Sequence, residues 1–268
     1  MAIQNVVQRV TVENMARLRF ASRWALGHFF VSALVVALAA SLVFFAWFPA
    51  PWRQMLGVSA IFGIVVVVDL VCGPILTFVL ASPKKSRRER WVDLTLVALI
   101  QMSALVYGLW SVYGARPVVL AFEVDRLFVV TANEVQRELL PQAPIQMQRL
   151  PWAGILHVGL RESTSPQEYL KSVEQSINGV SQAMRPNWWR AFDEKEKSAL
   201  RQKMKPLAQL IEKRPHQLGE LRSAVSRTGR NANDIFYLPL TSSKDMAWIA
   251  LIDATGETIG HAQVDGFD

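Results

Sequence analysis

Residues 58–90 read VSAIFGIVVVVDLVCGPILTFVLASPKKSRRER. From Val58 to Leu80 the stretch is almost wholly apolar, with one charge, Asp69. It runs directly into a loop holding Lys84, Lys85, Arg87, Arg88 and Arg90. A hydrocarbon core about 30 Å thick is crossed by about 20 helical residues at 1.5 Å each. The first part therefore reads as a transmembrane helix, and the second as the cytoplasmic loop that follows it, because Lys and Arg are retained on the cytoplasmic side.

Two further runs have the same character, Phe29 to Phe48 and Leu94 to Tyr113. Three such runs, joined by a Pro-Trp turn and one basic loop, argue against buried helices of a soluble protein. The first run has a signal-peptide reading, because Ala39-Ala40-Ser41 imitates a cleavage site. The 28 residues ahead of it and its full spanning length favour a retained anchor. Those 28 residues carry Arg9, Arg17, Arg19 and Arg23, whereas the turn from Phe48 to Arg53 carries one arginine. Both basic segments thus predict the same parity: the N-terminus and the Lys84–Arg90 loop inside, residues 115–268 outside. The expected organisation is a basic cytoplasmic segment (1–28), three transmembrane helices (29–114) and a periplasmic domain (115–268).

The net charge of +7 follows this division. Residues 1–114 carry 10 Lys+Arg against 4 Asp+Glu, leaving 19 against 18 for the remainder. The basic excess belongs to the membrane flanks, so the chain is not read as a nucleic-acid binder. Trp47, Trp52, Trp91, Trp110 and Tyr113 sit near span ends, where amphipathic rings suit the headgroup zone. Asp69 is the unusual residue, since a carboxylate at mid-bilayer costs at least ~2.5 kcal/mol and faces protein or water rather than lipid. Gly73 and Pro74 follow one turn later and predict a kink or close packing. Thr77 lies a turn beyond, and Gln101 is the hydrogen-bond partner expected from its depth. Two readings of Asp69 stand: a protonated carboxyl bonding Gln101 as glue, or a contact for a partner helix. A proton or ion path would need more polar groups inside the spans.

Beyond residue 115 the pattern is that of an ordinary globular domain. Val118–Val124 and Leu127–Thr131 flank Asp125-Arg126 and read as a β-hairpin or as one long strand. The outer edge of that hairpin either accepts a strand from a partner or is already paired within the domain. Asn133 to Leu140 reads as a short helix ending before Pro141. Ser165-Pro166-Gln167-Glu168 is a helix start with a capping Ser, Pro at the first position and Glu at the third. Tyr169, Leu170, Val173, Ile177 and Val180 follow at helical spacing. Further helices are expected from Asp193, with a restart at Pro206, and over His216 to Arg227. Ile235–Leu240 reads as a strand. Ala247–Asp253 and Thr258–Val264 read as a second hairpin with positive φ at Gly256. The fold class expected is a three-helix transmembrane bundle followed by a soluble α+β domain with an antiparallel sheet.

Chemistry is sparse. The single cysteine, Cys72, lies in an apolar run, so the domain has neither a disulfide nor a thiolate metal site. His28, His157, His216 and His261 show no paired spacing, and no phosphate loop, nucleophile elbow or dinucleotide fingerprint occurs. Trp188-Trp189, beside Arg185, Arg190 and Phe192, reads as part core and part surface, or as a contact for a partner or the membrane.

Several blocks taken in order resemble the type IV pilin accessory protein family of the TfpX/TfpZ type. They are Asp69 with Gly73-Pro74-Ile75-Leu76-Thr77, Pro83-Lys84-Lys85, Asp93 with Gln101, Tyr107-Gly108, Ala115-Arg116-Pro117-Val118 and Phe122-Glu123-Val124-Asp125-Arg126. Leu150-Pro151-Trp152, Tyr237-Leu238-Pro239-Leu240 and Leu251-Ile252-Asp253-Ala254-Thr255-Gly256 complete the set. The resemblance implies a chaperone-like accessory factor of the bacterial inner membrane, without catalytic residues, cofactor or metal. The partners it implies are a type IV pilin (the major pilin) and the lipid bilayer. The residues singled out for partner binding or bundle packing are Asp69, Gly73, Pro74, Thr77, Gln101, Arg116, Asp125 and Arg126. A membrane-anchored envelope sensor and an envelope enzyme are the alternatives; short cytoplasmic loops oppose the first, and the missing motifs oppose the second.

Overall fold

The computed structural model describes residues 2–267. The side chains of residues 2–11, including Arg9 of the basic lead, lie outside the described residues. Two compact units divide the chain: residues 1–45 with 57–113, and residues 46–56 with 114–268.

In the first unit, α1 (Ala2–Ser41) continues through a π-helical turn, Leu42–Trp47. The basic lead is therefore helical, and the helix is longer than its apolar run. The second span consists of α3 (Val58–Val67), a π turn (Val68–Cys72) and α4 (Gly73–Leu80). The third is α5 (Arg87–Gly114). Among the described residues three helices are long and apolar enough to cross a membrane, over Val12–Trp47, Val58–Leu80 and Arg87–Gly114. The π turn has a direct cause in Pro74, which has no N–H and whose ring would strike the carbonyl four residues back. Residues Val97, Gln101, Leu105 and Val112 form the buried stripe of α5. They are spaced at three to four residues or multiples of that, so they lie on one face. Trp91 and Trp110 are well exposed, as rings at a lipid interface require.

The second unit begins with a segment the sequence reading assigned to the membrane boundary. The turn after the first span, with α2 (Trp52–Met55) in it, packs into the soluble domain. Trp47, Phe48, Trp52, Met55 and Leu56 are all buried. Trp47 meets the Trp152 ring at 6.2 Å, and Trp52 meets His261 at 5.5 Å. The expectation that Trp47 and Trp52 anchor in headgroups is thus corrected, because their rings complete the domain core. Periodicity cannot distinguish an aromatic at a lipid interface from one at a protein interface, since both demand a half-polar ring.

The sheet runs β4-β3-β1-β2-β6-β7-β8, with β5 beside β6. Its strands are β1 (Pro117–Glu123), β2 (Arg126–Thr131), β3 (Leu156–Leu160), β4 (Trp189–Ala191), β5 (Lys205–Pro206), β6 (Phe236–Ser242), β7 (Trp248–Ile252) and β8 (Thr258–Ala262). It is mixed rather than antiparallel: β1 pairs β3 in parallel, and β2 pairs β6 in parallel. Both parallel pairs are joined by long connections, as parallel neighbours require. That overturns the free-edge reading of the first hairpin. Its two strands pair each other and are flanked by β3 and β6, so no edge remains for strand addition, and Val129 is fully buried.

The helices are α6 (Pro166–Ile177), α7 (Glu194–Lys203), α8 (Leu207–Lys213) and α9 (Leu218–Thr228). Asp193 caps α7, accepting from the Lys195 and Glu196 amides at 3.0 and 3.2 Å. Helices α8 and α9 contribute Leu207, Leu210, Leu221 and Ala224 to a core shared with Tyr237, Ile249 and Leu251 of the sheet. The helix expected over Asn133–Leu140 is instead a 3-10 turn, Arg137–Gln142, that includes Pro141. The second hairpin forms as expected, with Gly256 at φ +91°.

Candidate functional site

Asp69, Gly73, Thr77 and Gln101 come together inside the bundle. In the widened helical ladder the Asp69 carbonyl would pair with residue 74, a proline without an N–H. Gln101 fills that gap from α5, its Nε2 donating to the Asp69 main-chain oxygen at 3.1 Å. Gly73 permits the approach, since a Cβ there would collide with the Gln101 amide. Gly108 lies against Val65 in the same way, further along the same interface. Thr77 is 1% exposed and its hydroxyl meets His28 Nδ1 at 2.5 Å, tying α1 to α4. Pro74 acts through the backbone alone. The glue reading of Asp69 expected its carboxyl to bond Gln101. One hydrogen of that amide goes to the main chain, and Asp69 Oδ1, Asp69 Oδ2 and Gln101 Oε1 are buried without a hydrogen bond of normal geometry among the described residues.

The remaining predicted residues belong to the second unit, Arg116 just before β1 and Asp125 with Arg126 at the tip of the first hairpin. Arg116 is 3% exposed at the start of β1 and donates from Nη2 to the Pro151 carbonyl at 2.9 Å, a structural role. Asp125 and Arg126 pair at 2.9 Å at the tip of the first hairpin, and the Arg126 guanidinium covers the Phe267 ring at 4.7 Å. At that tip the Asp125 amide donates to the Glu123 carbonyl at 2.7 Å across Val124, whose φ is +61°. This is a three-residue turn of the rare, positive-φ kind, with a β-branched residue at its centre. Burial pushes the Glu123 carboxyl up, against hydrogen bonds from Ser181 and the Gln182 amide.

Sequence reading missed the way α6 is mounted. Ser165 Oγ accepts from the Glu168 amide as expected of a cap, while the Glu168 carboxylate reaches back to the Thr164 amide at 2.6 Å. The helix rests on its polar side. Ser172 is 2% exposed and accepts from Arg185 Nη2 and Gln182 Nε2, both at 2.7 Å. Arg185, itself 3% exposed, also donates to Gln175 Oε1 and to the Ser181 carbonyl. Arg161 grips Glu168 at 2.6 Å, and that hydrogen bond, with those from Thr164, holds the Glu168 carboxyl at about 2. Arg161 and Arg185 both lie over the Trp188 ring, at 4.4 and 5.0 Å. The part of the stripe on the helix therefore points outward, with Tyr169, Leu170, Val173 and Ile177 all exposed, while Val180, beyond the helix end, packs against the core. Among the described residues no group of three His, Cys, Asp or Glu is placed to hold a metal ion.

Residues 16–57 match the family described as Fimbrial assembly protein FimB. Over 256 residues the chain is 32% identical to the fimbrial assembly protein of serogroup I of Dichelobacter nodosus, covering 95% of this chain and 99% of that one. The chain belongs to the fimbrial assembly protein family. The serogroup E1 protein of the same organism is also 32% identical over the same lengths, and the protein of serogroups C1 and C2 is 38% identical over 130 residues. No solved structure matches. In this fimbrial assembly protein His28 is the cluster member that sequence reading left out. It precedes the apolar run, and only the continuous helix α1 brings it level with Thr77.

Proposed function

We propose that this fimbrial assembly protein is a chaperone-like accessory factor of the bacterial inner membrane that assists assembly of a type IV pilin. The observation that carries this reading is the end-to-end similarity to proteins named for fimbrial assembly. A pilin awaiting assembly has an apolar helix in the membrane and a globular head outside it. This chain offers a surface of each kind, a polar-cored bundle and an apolar stripe on a soluble domain. Deleting the protein from its host tests the reading: surface pili fall while pilin synthesis continues. Normal piliation in the deletion strain would refute it.

The proposed topology has the N-terminus and the Lys84–Arg90 loop in the cytoplasm and the domain in the periplasm. The charge distribution supports it, as does the membership of residues 46–56 and 114–268 in one unit, which requires both segments on one side. A reporter fused after Arg88 is expected to behave as cytoplasmic, and one fused after Gly266 as exported. An exported signal at Arg88 would invert the arrangement.

The head contact is assigned to α6. Its stripe of Tyr169, Leu170, Val173 and Ile177 is exposed, while Glu168, Ser172 and Gln175 on its polar side are engaged by Arg161 and Arg185. Leu170→Glu combined with Ile177→Glu alters only exposed positions, so the melting temperature is expected to move by at most a few degrees. Pilin recovered with the protein should fall about tenfold, the loss expected when a contact centre takes up two charges. Unchanged recovery would remove α6 from the contact.

A further inference from the structure

We infer that the groove between α1 and α5 seats a transmembrane helix of the pilin, and that this helix brings hydrogen-bond donors to Asp69. The inference rests on the functional reading above and adds to it the surface and the recognising chemistry. Whereas α1 lies along α4, α1 and α5 leave an open cleft between them, of about 580 Å³. Trp24, His28 and Val31 line one wall, and Trp91, Leu94 and Ala98 line the other. A smaller recess of about 100 Å³ shares His28, Val31 and Ala98 with the cleft and ends on Ser32, Asp69 and Gln101. Asp69 is 4% exposed.

The chemistry of the recess selects its occupant. Three buried oxygens, two on Asp69 and one on Gln101, have no donor among the described residues. Gln101 Nε2 gives one of its two hydrogens to the Asp69 main chain, which leaves at most one for three oxygens. Polar groups in hydrocarbon require partners, and a lone carboxylate requires one most. Lipid acyl chains have no donors to give. A second copy of this chain is less suited at mid-span depth, because Ser103 already donates to its own helix at 2.8 Å and Thr77 is buried against His28. A helix carrying an amine, amide or hydroxyl at mid-span depth satisfies the oxygens, and its apolar flanks fill the cleft walls.

The test uses the full chain in membranes with the pilin co-produced. A photo-crosslinking amino acid is placed at Val31, in the cleft, or at Ile75, on the exposed side of α4. Pilin is expected to crosslink at Val31 and only weakly at Ile75. Asp69→Leu should lower capture at Val31 about fivefold, the scale of an intramembrane hydrogen bond, with the abundance of the protein unchanged. If Asp69→Leu lowers abundance, Val31→Trp gives the answer instead. It fills the cleft from an exposed position and should abolish capture by a probe at Leu94. Equal capture at Val31 and Ile75, capture indifferent to both variants, or crosslinks at Val31 to lipid or to a second copy would overturn the assignment. Pilin captured at Ile75 alone would refute the cleft and leave the functional reading standing. No pilin captured at any of these probes, nor recovered with the protein, would remove both.

Discussion

Replacing Arg185 with Met is expected to destabilise the soluble domain by about 3 kcal/mol, the cost of deleting one member of a buried charged network. Arg185 joins Ser172 and Gln175 of α6 to the Ser181 carbonyl. It also offsets the charge of Glu123, which burial already makes hard to ionise. A helix mounted on its polar side has little apolar contact to fall back on, so losing this side chain releases α6 along with its outward stripe. Arg185→Lys should recover less than half of the loss, because an ammonium cannot fork to three acceptors in fixed directions. Thermal unfolding of the detergent-solubilised protein, followed by near-ultraviolet circular dichroism of its tryptophans, reads both variants. An unchanged melting temperature for Arg185→Met would show that α6 is held by something else.

The second large effect is a pH dependence set by His261. Burial beside the Trp52 ring holds its pKa down to about 4, against about 6.5 in an unfolded chain. As pH falls, the unfolded chain takes up the proton first. The contribution is therefore intact above pH 6.5, declines as pH falls and levels off below pH 4. At pH 5 the loss is about 2 kcal/mol. His157, whose pKa is also lowered by burial, acts in the same direction. Glu123, whose pKa is raised, acts in the opposite one. The contribution of His261 is isolated by His261→Gln, which should remove about 2 kcal/mol of the difference in stability between pH 7 and pH 5. A variant with the same pH slope as the parent would show that the imidazole is not the group responsible.

The membrane part of this fold is legible in the sequence because the bilayer imposes a length and an apolar composition that few other environments require. The apolar run at Val58–Leu80 states the span, and the helix found over those residues matches it. The cluster around Asp69 was legible in part, since depth alone pairs Gln101 with it. The bond from Gln101 to the main-chain carbonyl depends on the π turn that Pro74 imposes, which apolar periodicity does not report. The local elements of the domain, the Ser165 and Asp193 caps and the two hairpins, follow from short-range chemistry. The parallel pairing of β2 with β6 does not, because it joins Leu127 to Leu240 across more than a hundred residues. The mounting of α6 was hidden for a different reason. An apolar stripe ordinarily marks the buried face of a helix, and only the three-dimensional convergence of Arg161 and Arg185 on its polar side shows that here it marks the exposed one.

The central claim is that this fimbrial assembly protein holds a type IV pilin in the membrane before assembly. The most direct measurement is affinity purification of the tagged, full-length protein from membranes in mild detergent, with pilin quantified in the eluate. The account predicts pilin in amounts comparable to the tagged protein, falling with the α6 double substitution and with Val31→Trp. Pilin no more abundant than in a parallel purification of an unrelated three-span protein would contradict it.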